Sequence, residues 1–183
     1  SVRYVFDKST GSNYNINGTL TRNLSKIKLE YTKGDVQMQS VYFDLLKQWC
    51  DELIEHQVKN MGPEFDGAFL CPACKVEHGR CQDAVYPFMY MADRTGDMKY
   101  VEAAKAVFDW HERNMYCDDG SVYNDANAEW RYITVFESIA LCEALERHSS
   151  LLDGETRTKW ENKLARMANW LYHELTEDAP TNI

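Results

Sequence analysis

Beyond about residue 35 the apolar positions recur with a helical period, in two styles. From Val36 onward, Tyr42, Leu45, Leu46, Trp49, Leu53 and Ile54 mark one face, and Asp44, Lys47, Asp51, Glu52 and Glu55 mark the other. This is an amphipathic helix expected to end near Asn60, ahead of Met61-Gly62-Pro63. After a long loop, residues 84–92 are apolar or aromatic all round, the pattern of a helix enclosed on most sides. Asp83 is its expected N-cap, and Pro87 falls early enough to be tolerated. The turn Asp93-Arg94-Thr95-Gly96-Asp97 leads to a second amphipathic helix, with Tyr100, Val101, Ala104, Val107, Phe108 and His111 on its apolar side. A second long loop, CDDGSVYNDANAE, precedes a mostly apolar helix from Trp130 to His148. Thr156 to Leu175 is amphipathic again, through Trp160, Leu164, Met167, Ala168 and Leu171.

The order is therefore amphipathic, enclosed, amphipathic, enclosed, amphipathic, a loose repeat of about 50 residues of the kind stacked helical hairpins produce. Each long loop precedes an enclosed helix, and each short turn follows one. If alternate helices run the same way, both long loops and the positive N-terminal ends of the enclosed helices share one end of the assembly, which is the natural place for a site. Residues 1–35 differ: they are polar, broken by Gly11, Gly18 and Gly34, and only Lys26–Tyr31 alternates like a short strand. The expected organisation is an irregular arm over 1–35 and a helical domain over 36–183.

Composition narrows the function classes. The 183 residues are 44% hydrophobic and 27% charged, a globular balance that excludes a disordered or fibrous chain. The net charge of −9 argues against a nucleic-acid partner, and no apolar run is long enough for a membrane span. The chain opens at Ser1 without an initiator Met, as a processed or trimmed start would. Two sequons, at Asn17 and Asn23, fit a secreted or periplasmic chain.

The turn Thr95-Gly96-Asp97-Met98-Lys99-Tyr100, followed by Ala103-Ala104, resembles the T-G-D-x-x-Y…A turn of (α/α) toroid carbohydrate enzymes. The stretch from Gly67 to Trp110, with GAFLCPAC, HGR and DAVYPFMYMADRTGD, is similar to the N-terminal toroid part of polysaccharide-degrading proteins, heparinase-like lyases and unsaturated-glucuronyl hydrolases among them. The resemblance covers about residues 40–175. It implies an all-α fold of helical hairpins forming part of an (α/α) toroid, and action on an acidic polysaccharide. A lyase is preferred to a glycoside hydrolase; a zinc-stabilised, non-catalytic module that binds glycans or partner chains is the alternative. Toroids close with about five to seven hairpins, and this chain holds about two and a half. The ring is therefore expected to be completed by a further toroid segment or by self-association.

Four groups of residues carry candidate chemistry. Cys71-x-x-Cys74-x-x-x-His78-x-x-Cys81 supplies three thiolates and one imidazole within eleven positions, a set that suits a closed structural zinc site. Disulfides from Cys71 or Cys74 to Cys50 or Cys117, and free thiols, are the alternatives. Arg80 is a planar donor able to clamp a carboxylate or sulfate, beside Asp83 and Tyr86 as further substrate contacts, and His78 is a candidate base when it holds no metal. The second loop carries Tyr123, Asn124, Trp130 and Arg131. In a β-elimination, Asn or Arg neutralises the uronic carboxylate while Tyr or His takes the C5 proton, so Tyr123 and Asn124 are candidate catalytic groups with His78 and Arg80. Arg80, Tyr123, Asn124 and Trp130 are expected to converge on one cleft, because both loops precede enclosed helices. Asp125 and Asn127 read as loop chemistry, and Glu129 is one of several carboxylates, none singled out by spacing, that a hydrolase could use. Cys142 reads as core, and His56, His111, His148 and His173 as solvated or capping groups.

Overall fold

A computed structural model describes residues 33–125 and 130–175 of the chain, with side chains from residue 40 onward. Contacts divide the chain into two compact units, residues 1–37 and 38–183. The alternating stretch 26–31, both sequons, and Asn127 and Glu129 lie outside the described residues.

The fold is all-α. Among the described residues there are five α-helices: α1 (Lys33–His56), α2 (Val85–Thr95), α3 (Lys99–Asn114), α4 (Thr134–His148) and α5 (Gly154–Glu174). Among the described residues, strand character is limited to isolated bridges such as Leu70 with Glu77 and Tyr116 with Val122. Helix α2 packs on α3 and on α4, and α4 packs on α5.

The boundaries differ from the sequence expectation for local reasons. Residues Gly79–Ala84 form a 3-10 helix ahead of α2, so Asp83 is not an N-cap; its carboxylate accepts from Arg80 instead. Pro87 stands in the first turn of α2, where its missing N–H has no intrahelical partner to lose. Helix α4 begins at Thr134 rather than Trp130, because Thr134 turns its hydroxyl back onto the Arg131 carbonyl at 2.6 Å. Helix α5 starts at Gly154, capped by Asp153, whose carboxylate accepts from the Thr156 amide at 2.8 Å.

The T-G-D turn explains its own sequence. Gly96 takes a left-handed φ of 73° and returns its N–H to the Ala92 carbonyl, the usual glycine ending of a helix. Thr95 donates to the Met91 carbonyl, and the Asp97 carboxylate accepts from the Lys99 amide as α3 begins. Tyr100 then reaches α1, donating its hydroxyl to Asp51 Oδ1 at 2.7 Å, with the Lys99 ammonium on the same oxygen at 2.9 Å.

These bonds fix which side of α1 faces inward. Cys50 is fully buried, and Phe43, Leu46, Leu53 and Ile54 pack against the same core. Tyr42, Leu45 and Trp49, expected on the inner face, are exposed, Trp49 at 61%. The correction has a simple cause: α1 is apolar over a wide arc, and the anchor at Asp51 rotates one part of it inward.

The enclosed helices also need correction. Helix α3 is buried through Tyr100, Val101, Ala103, Ala104, Val107, Phe108, Trp110 and His111, as deeply as α2. Phe108 stacks on Trp160 of α5 at 5.0 Å. Helix α4 keeps an open side, with Phe136 39% and Ile139 57% exposed and Cys142 exposed rather than in the core. Composition counted apolar residues, but enclosure depends on which neighbours are present.

Candidate functional site

The two long loops meet. The Gly79 amide donates to the Asn124 carbonyl at 2.6 Å, so the start of the 3-10 helix lies against the second loop. Glycine is required here: a Cβ at Gly79 would stand 2.2 Å from the Tyr123 carbonyl oxygen and 3.2 Å from a Glu137 carboxyl oxygen. The candidate side chains radiate from this junction into separate environments.

The first is the cysteine-rich hairpin. The Cys71 amide donates to the Val76 carbonyl and the Lys75 amide to the Cys71 carbonyl, both at 2.9 Å, with Lys75 at a left-handed φ of 63°. This tight knuckle turns both sulfurs to one side. Cys71, Cys74 and His78 each place a ligand atom within 4.8 Å of the others, and Cys74 Sγ is 3.0 Å from His78 Nε2. Amide groups of Cys74 and Ala73 aimed at the Cys71 sulfur bring that thiol down to about 7, so the thiolate a metal needs is readily formed. The donor set fits a borderline-soft divalent cation. Cys81 stands apart: its thiol donates to the Phe69 carbonyl, and burial pushes its ionisation up. All six cysteines are free, and Cys50 lies in the core away from the hairpin.

The second environment surrounds Arg80. Its guanidinium donates twice to Asp83, at 2.9 and 2.7 Å, and lies over the Phe136 ring at 4.9 Å. Arg80, Asp83 and Tyr86 border a shallow open depression with Phe136, Ile139 and Glu143. The third environment is in the second loop. Arg131 donates to the Tyr123 hydroxyl at 2.7 Å, to Asp119 at 2.8 Å and to Ser121 at 3.1 Å, with its guanidinium over the Tyr123 ring. Burial raises the Asp119 carboxyl, but bonds from Ser121 and the charge of Arg131 outweigh it and leave the group below its ordinary range. Trp130 packs instead beside Val122, Ile133 and Met167. Asn124 Oδ1 and His78 Nδ1 are both buried without a hydrogen-bond partner among the described residues. The structure thus joins the two loops at the backbone but groups the side chains as Cys71–Cys74–His78, Arg80–Asp83–Tyr86 and Tyr123–Arg131.

Beneath the junction is a group that the sequence reading passed over. His111, Glu137, Lys163 and Gln82 are all fully buried. Lys163 donates to Gln82 Oε1 at 3.1 Å and meets His111 Nδ1 at 2.8 Å; a Glu137 oxygen lies 2.8 Å from His111 Nε2. With the ammonium at Nδ1, the imidazole is assigned its own proton on Nε2, 2.8 Å from a Glu137 oxygen but not aligned with it as a hydrogen bond. Burial holds His111 well below and Glu137 well above their ordinary ranges, and lowers Lys163 to about 8 against the pull of Glu137 and Glu112. His111 is thus a core residue and not a solvated or capping one. The available signal was positional. Lys163 lies three residues from Trp160 and four from Met167, Glu137 lies three from Thr134 and four from Leu141, and both fall on inward-facing rows.

A family described as the ulvan lyase N-terminal domain matches residues 46–183. A relative from Formosa agariphila, named a broad-specificity ulvan lyase, is 43% identical over 155 residues, covering 84% of this chain. The chain spans 24% of that relative's length. No solved structure matches. With three-quarters of its length inside one family's boundaries, and the junction of its loops lying within that match, the chain belongs to the ulvan lyase N-terminal domain family.

Proposed function

We propose that this chain is the N-terminal helical part of a polysaccharide lyase that cleaves an acidic polysaccharide by β-elimination. The observation that carries the reading is the family match over residues 46–183 with 43% identity to a relative named as an ulvan lyase. Helical hairpins belonging to an (α/α) toroid agree with the all-α order and with the exposed Phe136 and Ile139 row, against which a further hairpin would pack.

In this reading Arg80 is the carboxylate clamp. It already holds one carboxylate, that of Asp83, at an exposed position, so a uronic acid would exchange for an existing partner rather than fill a desolvated hole. Tyr123 is the candidate for the C5 proton, with its hydroxyl positioned by Arg131, and Asn124 is the amide beside it. Arg80→Ala in the full-length protein should lower kcat/KM by about one to two decades, the equivalent of losing a charge-assisted bond of roughly 1.5–3 kcal/mol. Arg80→Lys should recover part of that, because an ammonium lacks the planar fork. The assay is the near-ultraviolet absorbance of the unsaturated uronide; unchanged turnover in Arg80→Ala would remove Arg80 from the site.

Zinc is the ion we assign to the Cys71–Cys74–His78 group, on the strength of its sulfur and imidazole donors. Bound there, it would supply a cross-link across the hairpin that leads into Arg80.

A further inference from the structure

Cys71, Cys74 and His78 bring their ligand atoms within 4.8 Å of one another, and no fourth His, Cys, Asp or Glu joins them among the described residues. The sequence pattern offers Cys81 as the fourth, but the fold assigns that residue elsewhere. Cys81 packs against both the main core and the smaller one around Ala68 and Trp110. Its thiol donates to the Phe69 carbonyl at 3.5 Å. Turning it onto the hairpin would open that contact and empty a filled position in the packing.

We propose that Cys71, Cys74 and His78 form a three-ligand metal site whose fourth coordination position is open to solvent and holds an exchangeable water. The proposal rests on the zinc reading above and deepens it. Burial supports it directly: Cys74 is exposed, and Cys71 and His78 are only half-buried. An ion bound by these three would therefore sit at the surface with one side uncovered. The knuckle backbone fixes the two sulfurs before any metal arrives, through the paired bonds between Cys71, Lys75 and Val76. Four protein ligands close a tetrahedral zinc site, whereas two thiolates and one imidazole leave a position that a small donor can enter and leave. Water at rest, displaced by a small anion, is the ligand class this arrangement takes.

Cobalt(II) replaces zinc at such donors and reports on them by absorption. The expected result is one Co(II) per chain, with a sulfur-to-cobalt band in the near ultraviolet and visible bands that shift on adding azide. Cys71→Ser or Cys74→Ser should cut the sulfur band to about half or less, since one of two thiolates is lost, whereas Cys81→Ser should leave it unchanged. Absence of any sulfur band would overturn the zinc reading and this proposal with it. A sulfur band with visible bands that ignore azide would leave zinc standing and overturn the open position. A sulfur band that drops by about a third in Cys81→Ser would do the same, by identifying Cys81 as a closing ligand. The azide titration needs no substitution, so the outcome does not depend on Cys81→Ser folding.

Discussion

Between about pH 6.5 and 8 the native chain should lose stability by as much as about 2 kcal/mol, while Glu137→Gln should lose none from this source. The sign follows from the proton count of the buried His111–Glu137 pair. Folded, the pair keeps one proton in total, because burial holds Glu137 well above and His111 well below their ordinary ranges. Unfolded, the two groups also hold one proton between about pH 4.5 and 6.5, so the pair contributes no slope there. Above about 6.5 the unfolded pair holds none and the folded pair still holds one, so stability falls by about 1.4 kcal/mol per pH unit. Lys163 stops the decline. Its folded value of about 8 is depressed, so above that the unfolded lysine holds the extra proton and its contribution rises with pH. In Glu137→Gln only the depressed His111 remains, and its contribution rises up to about pH 6.5 and is then flat. Urea unfolding of both proteins at pH 5, 6, 7 and 8 measures this. Parallel profiles would mean that Glu137 is ionised in the folded chain.

Gly79→Ala should destabilise the chain by about 2–3 kcal/mol and separate the two loops. The added methyl meets the Tyr123 carbonyl oxygen at 2.2 Å, and that obstacle is backbone, not a side chain that can swing away. Relief requires the loops to part, which lengthens or breaks the 2.6 Å bond from the Gly79 amide to the Asn124 carbonyl and lets water reach Glu137. Gly154→Ala is the matched control. Nothing lies within 4 Å of a Cβ there, and the residue is in the first turn of α5, so that change should be neutral or stabilising by up to about 1 kcal/mol. Thermal or urea unfolding of the two variants, with hydrogen exchange at Gly79, gives the comparison. Equal stabilities would show that the loop junction yields without cost.

The helices were legible in the sequence because their apolar rows are long and regular, and the T-G-D turn because each of its three residues has a local task. What was not legible depends on partners distant in sequence. The inward side of α1 is selected by Tyr100 and Lys99 gripping Asp51, and no property of α1 alone distinguishes Trp49 from Cys50. The metal-ligand spacing brought Cys71, Cys74 and His78 together, as a hairpin with local bonds should, while Cys81 was drawn off by the Phe69 carbonyl after the chain turned into a 3-10 helix. The loop candidates share a backbone junction, but their side chains lean different ways, Arg80 onto Phe136 of α4 and Arg131 back onto Tyr123. The buried polar group was missed because its members come from four segments, and none of them has a polar partner near it in sequence to mark it as part of a group.

That wide sourcing has a kinetic consequence. Lys163 meets His111 across 52 positions and Gln82 across 81, whereas the α2–α3 turn closes within a few residues. Loop closure over such spans is slow to be repaid, so the local hairpin forms early and the last helix docks late. Until α5 arrives, Glu137 is expected to keep its ordinary charge, while His111 is charged only below about pH 6.5. The proton uptake that neutralises Glu137 therefore belongs to the final, water-expelling step of folding, and the ammonium on α5 serves as the plug that completes it.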